Sequence, residues 1–277
     1  DLVYDRPDFD GLVGEISSLL DGLSRSKDRE EFFSLHKKIE DSFLKIDELY
    51  NIVSIRNSIN TKDEFYDGEL KLFYEHMPRF DELKHRLGTI RIESKFRADF
   101  EEKYGKTITM RDKLQEDTFD PSIIEDRIAE SKLVNEYYKL TGGAEIEFRG
   151  EIKNISGLLA ISQDRDRDTR KEAFEALNGW FAANMESLDR IYDDLVKIRT
   201  KIANKLGFDT YTPVAYKLMG RLDWDSEDAR KYRDQIVEHI VSLSQKIYAD
   251  QAQRIGIENM KYYDLPLSFL SGNPKPI

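Results

Sequence analysis

Four histidines are the side chains best suited to hold a metal ion or pass a proton in this sequence: His36, His76, His85 and His239. None stands four positions from another, so no helical turn presents two imidazoles to one ion, and H-E-x-x-H, the pattern that pairs zinc with a glutamate base, is absent. His36 and Glu40 would share a helix face, which reads as a solvated surface contact, and His76 beside Glu75 reads the same way. With no cysteine there is no disulfide, thiolate ligand or sulfur nucleophile. No G-x-S-x-G turn offers an activated serine, and no glycine-rich cradle for phosphate occurs. Carboxylates are plentiful, and Asp193-Asp194 or Asp223 and Asp225 have the chemistry of an acid/base pair. The first two read as solvent-facing or arginine-paired, and the second two flank Trp224 where a helix start calls for acidic groups. The residues themselves therefore nominate no catalytic and no metal-binding side chain.

The chain that must position these groups has 277 residues, enough for one large domain or two ordinary ones. Hydrophobic residues make up 39% and charged residues 35%, while only 7 prolines and 15 glycines interrupt it, a balance that suits long amphipathic helices with wide solvated faces. The predicted class is all-α. A formal charge of -11 and the lack of a basic stripe argue against nucleic acid as a partner. No apolar run reaches the length of a membrane span, which argues against a membrane partner. Absence of cysteine suggests a reducing, cytoplasmic setting. Asp1 in place of an initiating methionine suggests a trimmed or processed product.

Phe9, Leu12, Ile16, Leu19 and Leu20 fall three or four apart and predict a helix from Pro7 to about Leu23. Phe32, Leu35, Ile39, Phe43, Ile46, Tyr50 and Val53 predict a second, longer one from Asp28 to about Ile59, antiparallel to the first. Thr61 to Leu87 continues the pattern, with Pro78 expected to kink or divide it and Gly88 and Gly105 expected to act as stops. Asp120 before Pro121 predicts a capped helix start, and Gly142 and Gly143 its end. Ala144, Ile146 and Phe148 alternate with charged residues, giving the one clear strand signal, so at most a short hairpin is expected near 144–152.

Further on, Phe174, Phe181, Leu188, Leu195 and Ile202 recur every seven residues, forming a seam that stops at Gly207 and reads as core in preference to a zipper. Asp225 or Ser226 is expected to cap one more long helix. Its apolar side would carry Ala229, Tyr232, Ile236, Ile240, Leu243 and Ile247, and it would end near Gly256. Tyr262 to Ile277 is predicted to be extended.

Some of these stretches carry a sharper signature. Leu195, Ile198, Arg199, Ala203, Gly207, Tyr216, Met219, Arg221 and Trp224 spell a helix with L-x-x-I-R and A-x-x-x-G, a tyrosine-bearing loop and an M-x-R-x-x-W step. YYDLPLSFLSGNPKP, from Tyr262 to Pro276, and EIEFRGEIKNISGLL, from Glu145 to Leu159, accompany it. As a set they resemble the passage by which oligoendopeptidase F enzymes and their thimet-type relatives enter the catalytic domain.

That resemblance implies a helical amino-terminal lobe over residues 1–160 and, over 161–277, the beginning of a catalytic domain that stops before its zinc site. It implies zinc as the cofactor of the full-length enzyme and none in this fragment, short peptides as substrates, and a missing C-terminal catalytic lobe as partner. Arg199, Tyr216 and Arg221 are the residues it nominates for the peptide channel, with Asp223 or Asp264 as carboxylates that either arginine could take instead. The fragment is expected to form one channel wall and to be inactive alone. Composition and periodicity also allow a non-enzymatic helical scaffold that binds partner helices.

Overall fold

The computed structural model describes residues 3–274. The chain is mainly helical, and one antiparallel hairpin is its only sheet among the described residues. By contact density it forms two units, residues 1–135 with 194–226, and residues 136–193 with 227–277.

The first unit begins with α1 (Phe9–Ser24), α2 (Arg29–Ile59) and α3 (Glu64–Glu93), which pack on one another in all three combinations. Each start is fixed by an aspartate that accepts orphan backbone amides of the first turn. Asp8 accepts from Gly11 at 3.0 Å, Asp28 from Glu31 at 2.9 Å, and Asp63 from Phe65 and Tyr66 at 3.0 and 3.1 Å. The faces they bury meet in one core containing Ile16, Leu20, Phe32, Ile39, Phe73 and Phe80. Each such side chain contributes about 1.5–3 kcal/mol on burial.

Pro78 neither divides α3 nor ends it, and Gly88 does not stop it. The helix continues to Glu93, and Gly88 is instead the site of a close approach: a Cβ there would stand 3.2 Å from the Asp112 carboxyl carbon. Gly105, at φ 89°, is a true stop between α4 (Arg97–Tyr104) and α5 (Lys106–Gln115). Asp120 caps a 3₁₀ turn, Pro121–Ile123, ahead of α6 (Ile124–Gly142).

The second unit contains the hairpin, β1 (Ile146–Phe148) and β2 (Glu151–Lys153), in the register Ile146 to Lys153 and Phe148 to Glu151. Ile146 and Phe148 point inward onto Leu158 and Ala173, as the alternation required. These come from α7 (Ile155–Ile161) and α8 (Arg167–Ala183).

The seven-residue seam is cut at Asn184, whose amide and side chain both bond back to the Trp180 carbonyl, at 3.1 and 2.9 Å, before α9 (Met185–Lys205) begins. Phe181 is exposed, and of the five seam residues only Ile202 is fully buried. After α10 (Tyr211–Leu218), the last long helix is built in pieces. These are α11 (Ser226–Gln235), a π-turn at Ile236–Ile240, and α12 (Val241–Arg254), with Gly256 at φ 69° closing it. Its expected apolar side is not buried: Tyr232 is 66% exposed, Leu243 50% and Ile247 52%. The tail is not extended from its start, since Tyr262–Asp264 forms a 3₁₀ turn. Residues 275–277 of the tail lie outside the described residues.

Candidate functional site

In the first unit, Arg221 lies between two rings. Its guanidinium carbon is 4.2 Å from the Tyr216 centroid and 4.0 Å from that of Trp224, and the two rings meet edge to face at 5.7 Å and 71°. α10 carries Tyr216, and the glycine turn at Gly220 (φ 65°) sends the chain back so that Arg221 reaches it. The backbone helps, with the Arg221 amide donating to the Tyr216 carbonyl at 3.3 Å. A guanidinium held by ring faces keeps its in-plane N–H donors available, and that arrangement suits a carboxylate or a peptide carbonyl. Asp264 is not its partner, since Arg167 and Arg170 occupy that carboxylate.

Arg199 is engaged differently. From α9 its Nε donates to Glu130 Oε1 at 2.7 Å, while Arg127 Nη1 donates to Glu130 Oε2 at 2.9 Å. Its guanidinium also lies 5.6 Å from the Tyr211 ring centroid. Burial, then the Glu130 charge, raises the Tyr211 phenol above its ordinary range. Two arginines on one buried glutamate form a fixed structural node. Of the three nominated residues, Tyr216 and Arg221 come together with Trp224, and Arg199 stands in this separate network.

The histidines do not converge, and among the described residues no three His, Asp or Glu side chains are grouped to hold a metal. The side chains present thus do not supply a zinc donor set. Their individual settings differ from a surface reading. His36 is 4% exposed, packed against Phe100 at 5.0 Å and Tyr104 at 5.8 Å. Burial, then Arg91 and Lys103, lowers its pKa to about 4. Its contact with Glu40, at 3.7 Å, is too long for a hydrogen bond, and neither ring nitrogen has a partner. His76 stacks on Phe9 at 4.3 Å, and His85 Nε2 meets the Glu116 carbonyl at 2.8 Å.

His36 and His85 both line a cavity of about 790 Å³ in the first unit, walled by α2, α3, α5 and the segment after it. Spacing along the chain does not reveal it, because it arises from the approach of helices far apart in sequence. Another feature hidden from the sequence lies in the second unit, where buried Arg170 and Asp264 meet. Arg170 donates to Asp264 at 2.9 Å and to the carbonyls of Tyr263, Asp164 and Arg165 at 3.0, 2.9 and 3.1 Å.

Residues 1–119 match the family described as the Peptidase M3 N-terminal domain. The likeness of the chain to solved structures runs over its entire length. It is similar to PZ peptidase A, solved with an inhibitor, at 36% identity and a TM-score of 0.96, over 99% of this chain and 49% of that one. A protein assigned as oligoendopeptidase F matches at 35% identity and 0.97, over 100% and 49%. Another so assigned, from Bacillus anthracis strain Ames, matches at 34% and 0.95, over 100% and 51%. The chain thus spans about half the length of these relatives. Comparison with curated proteins gave no match. No helix among the described residues is long and apolar enough to cross a membrane.

Proposed function

We propose that this chain is part of a zinc-dependent metalloendopeptidase that hydrolyses short peptides, and that it forms one wall of the substrate channel. The observation that carries this reading is the match of the whole chain, at 34–36% identity, to about half of PZ peptidase A and of two proteins assigned as oligoendopeptidase F. On this reading residues 1–160 form a helical lobe and 161–277 begin the catalytic domain. The zinc and its ligands belong to the C-terminal lobe, because this sequence has no H-E-x-x-H and its described residues have no convergent donor set. No hydrolytic step is therefore assigned to residues of this chain, and alone it is inactive. The exposed apolar side chains Tyr232, Val237 and Leu243 fit a surface that the remaining lobe covers.

Arg221, presented by Tyr216 and Trp224, is the channel residue, contributing donors for a peptide carbonyl or terminal carboxylate. Arg199 belongs to the same wall and keeps Glu130 in place. Peptide hydrolysis by the chain alone and by a form extended with the second lobe tests the reading. Expected are no chelator-sensitive cleavage by the chain and zinc-dependent cleavage by the extended form. In that form Arg221→Ala should raise KM for short peptides with little change in Tm. Unchanged KM with a large loss of stability would make Arg221 a structural residue. An extended form that folds without cleaving any short peptide would favour the helical scaffold.

A further inference from the structure

α10 has only eight residues, and the carbonyls of its last turn need donors from outside the helix. The chain supplies three of them itself. The Met219 amide donates to the Ala215 carbonyl at 3.0 Å, that of Gly220 to Lys217 at 2.9 Å, and that of Arg221 to Tyr216 at 3.3 Å. The Leu218 carbonyl has no backbone donor among the described residues, and the side chain of Gln115 serves it instead. Gln115 Nε2 donates to the Leu218 and Lys217 carbonyls at 3.3 Å each, from the end of α5.

The turn after α10 is braced from the same helix. Gly220 has φ 65°, and a Cβ there would stand 3.3 Å from Arg111 Nε and 3.7 Å from its Cδ, so the arginine side chain lies across the face that glycine leaves open. Arg111 and Gln115 are four residues apart, which puts both on one face of α5. Gln115 is itself fixed, since the Thr118 amide and hydroxyl donate to its carbonyl at 3.0 and 2.7 Å. Lys217 Nζ adds a bond to Asp117 Oδ2 at 2.5 Å. All of these residues belong to the first unit.

What these contacts hold is the pair of rings around Arg221. Tyr216 is on the capped helix, Arg221 follows the braced glycine, and Trp224 lies three residues on. The Arg221 side chain makes no hydrogen bond or ion pair with any described residue, so the two ring faces and the backbone that carries them fix its direction. Attraction between a guanidinium and a ring fades beyond about 6 Å from the centroid, so a shift of the α10 end loosens the arrangement.

We infer that Gln115 and Arg111 are positioning residues for Arg221. α5 sets the end of α10 and its glycine turn, and through them the direction in which the guanidinium presents its donors. Neither residue needs to touch a peptide. The consequence for substrate rests on the reading of Arg221 as a channel residue, and the positioning itself does not.

Trp224 reports the arrangement directly, because Trp180→Phe leaves it the sole tryptophan of the chain. Acrylamide quenching of the folded 277-residue chain in that background, well below its thermal transition, tests the positioning. Arg221→Ala uncovers one indole face and sets the scale. Gln115→Met keeps the side-chain length and removes both donors; it should raise the quenching constant by about half of that amount or more, and so should Arg111→Ala. A merely structural role lowers the thermal midpoint and leaves quenching of the folded chain as it was. In the form extended with the second lobe, Gln115→Met should raise KM for short peptides about three- to tenfold, with kcat within about twofold of the parent. A quenching constant equal to the parent's in either variant overturns the proposal, as does a KM that Arg221→Ala raises and Gln115→Met does not. Raised quenching with KM unchanged in both Gln115→Met and Arg221→Ala supports the positioning and removes the channel reading. Arg111 is exposed, so Arg111→Ala decides the matter even where Gln115→Met fails to fold.

Discussion

Arg170 donates through Nη2 to Asp264 Oδ1 at 2.9 Å across 94 positions of sequence, and both side chains are buried. The bond ties α8 to the Tyr262–Asp264 turn, and Arg167 adds two more bonds to the same carboxylate, at 3.0 and 2.8 Å. Burial pushes the Asp264 carboxyl upward, but Arg167, the Lys261 amide and Arg170 together hold it at about 2. Removing the carboxylate would leave a buried guanidinium without its counter-charge. Asp264→Ala should therefore cost about 3–5 kcal/mol, measured by urea unfolding followed at the tryptophans. A cost below about 1 kcal/mol would remove the node from any structural role.

The sign of the pH response follows from the same carboxylate and from His36. A folded pKa below the unfolded one gives stability that is complete above the unfolded value and is lost as pH falls through the folded one. For His36 that window runs from the ordinary 6.5 down to about 4, and its full extent is about 3 kcal/mol. Asp264 adds its own loss lower down, from the usual carboxylate range to about 2. Thermal midpoints should fall between pH 6.5 and 4, and His36→Phe should flatten that segment. An unchanged slope in the variant would show that His36 is not the titrating group.

Gly88→Ala sets helix propensity against packing. The methyl group gains about 1 kcal/mol of propensity, yet it would press on an Asp112 carboxyl that two hydrogen bonds to Arg91 prevent from moving aside. Overpacking of this kind costs about 1–3 kcal/mol, so the variant should melt earlier than the parent. Restored stability in Gly88→Ala with Asp112→Ala would identify the clash. A higher midpoint in the single variant would refute it.

The α11–α12 apolar surface should make the chain self-associate. Val237 is a large apolar side chain in open solvent, and Leu243 is half exposed. Val237→Lys with Leu243→Lys should shift sedimentation velocity towards monomer and leave far-ultraviolet dichroism unchanged, since neither contributes to the core. Identical sedimentation for parent and variant would exclude this surface.

Local chemistry explains which elements could be read from the sequence. Asp8, Asp28, Asp63 and Asp120 act on amides two or three residues away, and the alternation at Ile146 and Phe148 is equally local, so spacing alone places these elements. Gly88 was misjudged because its reason, Asp112, is on another helix. His36 was misjudged similarly: its i,i+4 glutamate is visible in the sequence, but the Phe100 and Tyr104 rings that bury it belong to α4. Arg221 was legible as a candidate, and its ring partners Tyr216 and Trp224 are near in sequence. The Arg199–Glu130 node spans 69 positions and has no local signal.

The π-turn at Ile236–Ile240 has a geometric result for the long helix that contains it. One added residue advances the winding by about 100°, since 3.6 residues complete a turn. Tyr232, ahead of the turn, and Leu243 and Ile247, behind it, are therefore rotated out of the common stripe that their even spacing suggests. Whatever grips this helix must follow a stripe with a step in it. A straight partner helix in ridge-and-groove register would fit one side of the step and miss the other.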